Sequence, residues 1–403
     1  MKTFRKLLLA FLMGGILSFG ISIFVPFIAP YLSSLGFKNS TISYMGSFGA
    51  IGIVAISPVM GTASDRIGRR KVIIMGLLLE IMSMLLLINF ARSIILATTA
   101  MVLQITAVFV IALTLLSYVE DNMDKKTRGF FTGINESIYS IGGLIGPLVG
   151  AFLVSFLPIN QVFKYSIFVD LVLIALSFFL DEGDSLYKKP KIGDFNFLRE
   201  IKEFWSNKNL KGMGILGIFM HFATPGLFIF LPLFIIQDLK APLKYVGIMA
   251  TMATVFSVFQ FIHGWLCDKK GSEKFIILGA SITATSMFLI YFVHSISALV
   301  LIILIYSFGA SMWNTSAWCY MSTIGEKMKK EGQTTGSYAA FARTGAFASF
   351  LISGALVSVI EIRGLFLIYG TLKVMAIIVS TKYIFFDERK PVRSPLFETQ
   401  NAN

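Results

Sequence analysis

The sequence predicts an all-α membrane protein, with twelve transmembrane helices in two pseudo-symmetric halves of six. Of its 403 residues, 56% are hydrophobic and 14% are charged, and the mean hydropathy is +0.77. Long apolar runs recur along the chain, and a pattern of the first half returns in the second. A soluble domain carries about a quarter charged residues. Most of this chain is therefore expected to lie in lipid.

Each apolar run of about twenty residues can cross a hydrocarbon core of about 30 Å as a helix. The first run follows Lys6 and continues to about Ala29 without a small-residue cleavage site, so it predicts a span and not a signal peptide. The twelve predicted spans cover residues 7–29, 41–62, 71–90, 94–118, 130–156, 162–181, 211–237, 243–266, 274–293, 296–323, 334–360 and 364–386.

Lysine and arginine are distributed unevenly between the two sides of the predicted membrane. Of the 35 bases, six lie in loops of one side and two, Arg343 and Lys373, lie inside spans, which leaves 27 on the side of both termini. The six are Lys38, Arg92, Lys164, Lys240, Lys244 and Arg363. Because bases are enriched in cytoplasmic loops, the sequence predicts a multi-pass protein of the bacterial plasma membrane with both termini in the cytoplasm.

The second half of the chain repeats the first at a nearly constant offset. KVIIMG at residues 71–76 matches KFIILG at 274–279, and SMLL at 83–86 matches SMFL at 286–289. Parallel halves of this kind place a substrate site at their interface near the bilayer midplane. The predicted domains are an N-terminal half (1–181), a cytoplasmic linker (182–210), a C-terminal half (211–386) and a cytoplasmic tail (387–403).

The loop between the second and third spans carries a dense motif. It reads GTASDRIGRR over residues 61–70, and a weaker copy, GWLCDKKG, covers residues 264–271, with Ser272 and Glu273 in place of the arginine pair. Gly68 permits backbone angles that other residues resist. The first copy resembles the signature loop of the major facilitator superfamily, G-x-x-x-D-R-x-G-R-R.

The resemblance implies a cytoplasmic gate around this loop. Asp65 would face the N-terminus of the eleventh span, where the helix dipole favours an anion, and Arg69 would reach Glu120 or Asp121. Asp121 followed by Arg128-Gly129 resembles the acid-x6-Arg-Gly loop of the same family. The alternative is a solvated loop held by topology alone. The residues assigned to the gate are Gly61, Asp65, Arg66, Gly68, Arg69, Glu120, Asp121 and Arg128.

Small residues recur at helical spacing in the fifth span. Their pattern resembles the antiporter motif of drug exporters, G-x8-G-x3-G-P-x2-G-G, with Ala151 at the last position. The alternative is an ordinary packing seam, because small residues let membrane helices approach closely. The fourth span lacks the arginine that such exporters often carry, which is a departure from the family's coupling pattern. The residues of the antiporter-like motif are Gly133, Gly142, Gly146, Pro147 and Gly150.

Two ionisable residues are predicted deep in equivalent spans of the two halves, where charge is costly. Glu136 lies eight residues past Arg128 and Arg343 ten past Gln333, which gives depths of about 12 and 15 Å at a rise of about 1.5 Å per residue. A carboxyl in an apolar cavity favours its neutral form. Glu136 is therefore the candidate for proton coupling, with a structural hydrogen-bonding role as the alternative. Arg343 either pairs with Glu136 or attracts an anionic substrate.

Aromatic and polar residues of the seventh and tenth spans are further candidates for a substrate cavity. Tryptophan can stack on flat apolar substrates or cations, but it packs equally well, and a lone membrane histidine is more often a packing hydrogen-bonder. The predicted cavity residues are Arg343, His221, Trp313, Asn314 and Trp318. Glu80, Asp170 and Lys373 also fall inside spans, and no role is assigned to them.

These features predict a secondary active transporter, namely a proton-coupled efflux antiporter for lipophilic or amphipathic, multidrug-like small molecules that works by alternating access. The alternative is a proton-coupled uptake symporter for a metabolite or organic anion, and a third hypothesis is a non-transporting receptor. The chain lacks G-x4-G-K-[ST] and H-E-x-x-H, so we expect no enzyme, no cofactor and no metal site. The expected partners are a small-molecule substrate, protons or another cation, and the lipid bilayer. We expect no nucleic acid and a monomer.

Overall fold

The computed structural model describes residues 2–122, 128–180, 197–328 and 331–384, which form helices joined by short turns, with no strand among them. In chain order the helices are α1 (Lys2–Ser34), α2 (Asn39–Ile67), α3 (Arg69–Phe90), α4 (Ile94–Asp121), α5 (Arg128–Leu153), α6 (Ile159–Ser177), α7 (Phe197–Ser206), α8 (Lys208–Phe222), α9 (Leu231–Gln237), α10 (Lys244–Thr254), α11 (Gln260–Lys270), α12 (Glu273–Ile290), α13 (Ile296–Lys327) and α14 (Glu331–Ile384). Apolar segments in lipid must satisfy their backbone hydrogen bonds internally, and helices do so. The predicted all-α membrane fold is confirmed.

Each of the twelve predicted spans overlaps a helix of the structure. Length and apolarity alone select ten helices among the described residues as able to cross a membrane. One of them, Thr334–Tyr383, is 50 residues long. It covers the eleventh and twelfth predicted spans and breaks at Glu361, where φ is 60° and ψ is 176°. Because α2 is not among the ten, the count of twelve stays a prediction.

Two glycines separate helices at matching places in the sequence repeat. Gly68 lies between α2 and α3 with a φ of 100°, and Gly271 lies between α11 and α12 with a φ of 81°. A residue with a Cβ is strained at these angles. Both copies of the loop motif therefore use a glycine for the same backbone turn, and Gly68 has the backbone conformation that the sequence predicts for it.

Three features of the helices are absent from the predicted pattern. A π-helical turn, Gly226–Phe230, joins α8 to α9, and a 3₁₀ turn, Val255–Phe259, joins α10 to α11. The predicted linker contains the short helix α7, whose Trp205 ring lies 5.2 Å from the ring of Phe341. Residues 181–196 of that linker region and the predicted tail lie outside the described residues.

The chain forms two compact units. Unit 1 contains Met1–Gly193, Pro225–Thr254 and Phe347–Ile362, and unit 2 contains Asp194–Thr224, Val255–Ala346 and Arg363–Asn403. Two segments of the predicted C-terminal half belong to unit 1. In the first, α9 and α10 pack against helices such as α1 and α5, and in the second the carbonyl oxygen of Phe350 accepts a hydrogen bond from Ser43 of α2. The core of unit 1 lies among α1, α3, α4 and α6, and that of unit 2 among α8, α12, α13 and α14. The boundaries of the two sequence halves stay a prediction.

Candidate functional site

A group of polar side chains surrounds Glu136 on α5, inside unit 1. Glu136 is an exposed side chain, and its carboxylate accepts a hydrogen bond from the side chain of Asn135. Tyr139 is hydrogen-bonded to Ser18 of α1, and it lies near enough to Glu136 and Glu80 for their charges to act on it. An exposed acid at this depth faces either lipid or an aqueous cavity, and only the cavity stabilises its charge. This placement suits the proton-coupling role predicted for Glu136.

The glycines of α5 pack directly against the backbone of α1. A Cβ added at Gly146 would lie 2.6 Å from the carbonyl oxygen of Phe19, and one at Gly142 would meet the carbonyl oxygen of Gly15. Gly150 makes the same close approach further along α1. Small residues permit such backbone contact between membrane helices. The spacing of the antiporter-like motif is thus explained by a packing seam, and its role in exchange stays a prediction.

Helix α10 packs on α5 next to Pro147, also within unit 1. The hydroxyl of Thr251 donates a hydrogen bond of 3.1 Å to the carbonyl oxygen of Leu144. A Cβ added at Gly247 would meet the carbonyl oxygen of Pro147 and lie 2.9 Å from the Cβ of Ala151. A helix of the predicted C-terminal half is therefore held closely on a helix of the N-terminal half.

A second polar link joins the ends of α1 and α9. The side-chain nitrogen of Gln237 donates to Ser33 at 2.9 Å and to Asn39 at 3.1 Å, and the amide of Asn39 donates back to the Gln237 oxygen at 2.9 Å. Nearby in the same unit, the hydroxyl of Ser43 donates to the carbonyl oxygen of Phe350 at 2.7 Å. Sequence reasoning missed these residues, because nothing in one sequence pairs Asn39 with a residue 198 positions away.

The first loop motif contains an ion pair. Arg69 Nη2 lies 3.1 Å from Asp121 Oδ2, Arg69 Nε donates to the same oxygen at 3.2 Å, and Arg69 Nη1 donates to the hydroxyl of Ser64. Asp121 is one of the two partners that the family resemblance implies for Arg69. The remaining gate residues and the first motif glycine lie outside the residues whose side chains the structure describes, namely Gly61, Asp65, Arg66, Glu120, Arg128 and Gly133.

Unit 2 brings together three basic side chains. His221 of α8 lies within reach of the charges of Lys373 and Arg343, both on α14. Arg343 is exposed, whereas Lys373 is 1% exposed and places its ammonium 5.3 Å from the centre of the Tyr306 ring. A positive charge over an aromatic face is stabilised by the ring quadrupole. Of the three bases, Arg343 is exposed and His221 is half-buried, whereas Lys373 is buried inside unit 2.

The aromatic residues of α13 divide between two faces. Trp313 is buried in the core of unit 2, which gives it the packing role that the sequence left as its alternative. Asn314 and Trp318 are exposed and lie one helical turn apart, so they share a face. The ring of Trp318 meets the ring of Tyr338 edge to face at 5.6 Å. Asn314 and Trp318 remain candidates for substrate contact.

Comparison with known proteins shows the same fold. The family model for the Major Facilitator Superfamily matches residues 10–327 and 215–402. A protein of Methanocaldococcus jannaschii, named as an uncharacterized MFS-type transporter, is 25% identical over 303 residues, which are 74% of this chain and 77% of that protein. Multidrug resistance protein 2 of Bacillus subtilis is 27% identical over 188 residues, or 45% of this chain and 46% of that protein.

The crystal structure of the nucleoside transporter NupG is similar in fold, with a TM-score of 0.77, 13% identity, and coverage of 95% of this chain and 100% of that chain. Identity this low shows the fold alone. The family model, in contrast, matches nearly the whole sequence, and ten helices of the described residues are long and apolar enough to cross a membrane. The protein belongs to the Major Facilitator Superfamily and is a multi-pass membrane transporter of small molecules.

Proposed function

We propose that the protein is a proton-coupled efflux antiporter for lipophilic or amphipathic small molecules, working by alternating access. The observation that carries the proposal is the placement of Glu136, an exposed acid about 12 Å into a membrane-spanning helix at a rise of about 1.5 Å per residue. Asn135 donates to its carboxylate, and Tyr139 lies beside it. The similarity to Multidrug resistance protein 2 supports a lipophilic substrate.

In this proposal Glu136 carries the coupling proton. A carboxyl at this depth in a membrane-spanning helix is more easily protonated than one in bulk water, and a hydrogen bond from an amide stabilises its charged form. Glu136 takes up a proton when the cavity opens to the acidic side and releases it when the cavity opens to the other side. Substrate and proton bias the same conformational equilibrium, because each binds one state better than the other.

The polar contacts at the two ends of unit 1 are the gates of the proposed cycle. Arg69 and Asp121 close the end of the loop motif, which the distribution of bases predicts to be cytoplasmic. Gln237, Asn39 and Ser33 close the opposite end, at the boundary of α1 and α2. Exposed polar contacts of this kind are each worth about 1 kcal/mol or less, so they can break in every turnover.

A second candidate function is proton-coupled uptake of an organic anion. His221, Arg343 and Lys373 favour it, because three bases near one another suit an anionic ligand. In an exporter of lipophilic cations, these three bases have no comparable role in substrate binding. The two candidates differ in the direction of substrate movement relative to the proton.

The experiment that tests the role of Glu136 uses purified protein in liposomes and ethidium, a permanently charged fluorescent probe. Glu136→Gln should reduce pH-gradient-driven ethidium transport to the level of protein-free liposomes, because the amide does not take up and release a proton in the accessible pH range. Ethidium binding should persist. The matched control is Glu361→Gln, the same chemical change at an exposed residue beside a helix break. Normal pH-driven transport by Glu136→Gln would remove Glu136 from the mechanism.

A further inference from the structure

Two acids of unit 1 are buried in the middle of membrane-spanning helices. Glu80 of α3 is 0% exposed and Asp170 of α6 is 2% exposed. Neither carboxylate oxygen of Glu80, nor Oδ2 of Asp170, has a hydrogen-bond partner in the described part of the chain. Buried polar groups are almost always hydrogen-bonded. These buried oxygens therefore need a compensating group, such as a proton or a cation.

The packing of α1, α3 and α6 places the two acids at one level. The Tyr31 hydroxyl donates to the carbonyl oxygen of Leu87 at 3.0 Å, and its ring meets Phe163 edge to face at 5.2 Å. Leu87 and Phe163 are therefore level with each other. Glu80 lies seven residues before Leu87, and Asp170 seven residues after Phe163.

Seven residues are about two turns, or about 10 Å, so each acid returns to the helix face of its reference residue. Consecutive spans alternate in direction, and α3 and α6 consequently run antiparallel and pack together. The two acids thus lie at about the same depth on neighbouring helices. The charge of Asp170 acts on Glu80, as this register requires.

The other ionisable residues of the surrounding helices lie at a distance along their helices. On α3 and α6 the nearest bases are Lys71 and Lys164, nine and six residues away, and Lys164 is exposed. On α2 and α4 the ionisable residues all belong to positions near helix ends, namely Tyr44, Asp65, Arg66, Tyr118, Glu120 and Asp121. On α1 the ionisable residues are Lys2, Arg5, Lys6 and Tyr31, all in its first and last turns. These bases are too far along their helices to neutralise two mid-membrane carboxylates.

Tyr139 of α5 lies near both Glu80 of this pair and Glu136. Its hydroxyl is hydrogen-bonded to Ser18, and the charges of Glu136 and Glu80 both act on it. Two adjacent bare carboxylates in an apolar interior repel each other and lose their hydration, and one shared proton relieves both costs.

We propose that Glu80 and Asp170 form a proton-binding site in which one proton is shared between the two carboxyls. The O–H of one carboxyl donates to the carboxylate of the other, so the pair carries a single negative charge. Its connection to transport rests on the proposed function, whereas the proton site itself does not. A bound sodium ion is the competing occupant. The response of the site to sodium chloride distinguishes the two occupants.

Infrared difference spectroscopy of the full-length protein in lipid nanodiscs tests the site. At neutral pH, the spectrum of the wild type minus that of Glu80→Gln/Asp170→Asn should show one protonated-carboxyl stretch that shifts in heavy water. Each single variant should keep one such band at a changed frequency, because the remaining acid is still buried. Glu361→Gln, at an exposed carboxyl, should leave the band unchanged.

A difference spectrum without the band would overturn the proposal, and so would a band that sodium chloride abolishes and choline chloride does not, because sodium would then occupy the site. If the double variant does not fold, the proposal is tested instead by the change in frequency of the protonated-carboxyl band in the two single variants. The readout involves no transport. A failure here therefore leaves the role of Glu136 standing, and a failure of Glu136→Gln to affect transport leaves this site standing.

Discussion

At the scale of single residues, Tyr139 is a side chain that lies near two of the acidic residues of unit 1. It is hydrogen-bonded to Ser18 and is subject to the charges of two acids, Glu136 and Glu80. The sequence predicts the depth of Glu136 from helix rise alone. It does not predict Tyr139 or the pairing of Glu80 with Asp170, because the contacts that define them join α1, α3, α5 and α6.

Replacing Tyr139 by Phe removes the hydroxyl and keeps the ring. One hydrogen bond is worth about 0.5–1.5 kcal/mol, so pH-driven ethidium transport should fall about two- to tenfold while ethidium binding stays unchanged. The measurement is the initial transport rate in liposomes at fixed protein density. Tyr165→Phe is the matched control, because Tyr165 is 45% exposed on α6 and should transport normally. Equal rates for Tyr139→Phe and the control would show that Tyr139 has no part in coupling.

The contact of Arg69 with Asp121 is an example of a side-chain contact that a sequence motif can predict. The resemblance implies an acid at the end of the fourth span as the partner of Arg69, and the structure has Asp121 there at 3.1 Å. No sequence motif predicts the hydrogen bonds between Asn39 and Gln237. Both are ordinary polar residues at span ends, and only the packing of α9 against α1 reveals their contact.

At the scale of helices, apolar run length predicts where the helices lie, because a chain in lipid has few alternatives to a helix. It also predicts an interruption between residues 360 and 364, and the structure breaks the long helix α14 at Glu361, the first residue of that gap. It does not predict the π-helical turn after Pro225. A proline indicates a disturbed helix, but its neighbours decide which local geometry replaces the regular one.

The seam between α1 and α5 gives a prediction about stability. Gly146→Ala places a Cβ 2.6 Å from the carbonyl oxygen of Phe19, so the helices must separate. The free energy of unfolding should fall by about 1–3 kcal/mol, measured by denaturant unfolding in detergent. Gly336→Ala is the control, because its added Cβ meets nothing within 4 Å. Its stability should stay the same or rise by up to about 1 kcal/mol. Equal destabilisation by both changes would contradict a close-packed seam.

The two copies of the loop motif predict unequal gates. Both copies turn at a glycine of positive φ, Gly68 and Gly271, but the second lacks the arginine pair. Asp65→Asn should therefore reduce ethidium transport more than Asp268→Asn, the same substitution at the equivalent position. Transport rates of the two variants at equal expression provide the comparison. Equal losses would mean that the asymmetry of the arginines has no consequence for gating.

At the scale of the whole molecule, the described ionisable groups in the middle of the membrane-spanning helices differ in sign between the units. Unit 1 holds Glu80, Glu136 and Asp170, whereas unit 2 holds Arg343 and Lys373. Asp170 and Lys373 occupy equivalent positions in the sequence repeat, 203 residues apart by subtraction. Equivalent positions of the predicted sequence repeat therefore carry opposite charges in the two units.

The central claim is that proton and substrate move in opposite directions, and the direction of ethidium movement tests it most directly. Protein in liposomes is given a pH gradient of either sign, with protein-free liposomes and a protonophore as controls. An antiporter accumulates ethidium inside when the interior is acidic, because protons leave as ethidium enters. Proton-coupled antiport predicts this accumulation, and it predicts that the accumulation is lost in Glu136→Gln. Ethidium accumulation only when the exterior is acidic would contradict antiport and indicate proton-coupled uptake.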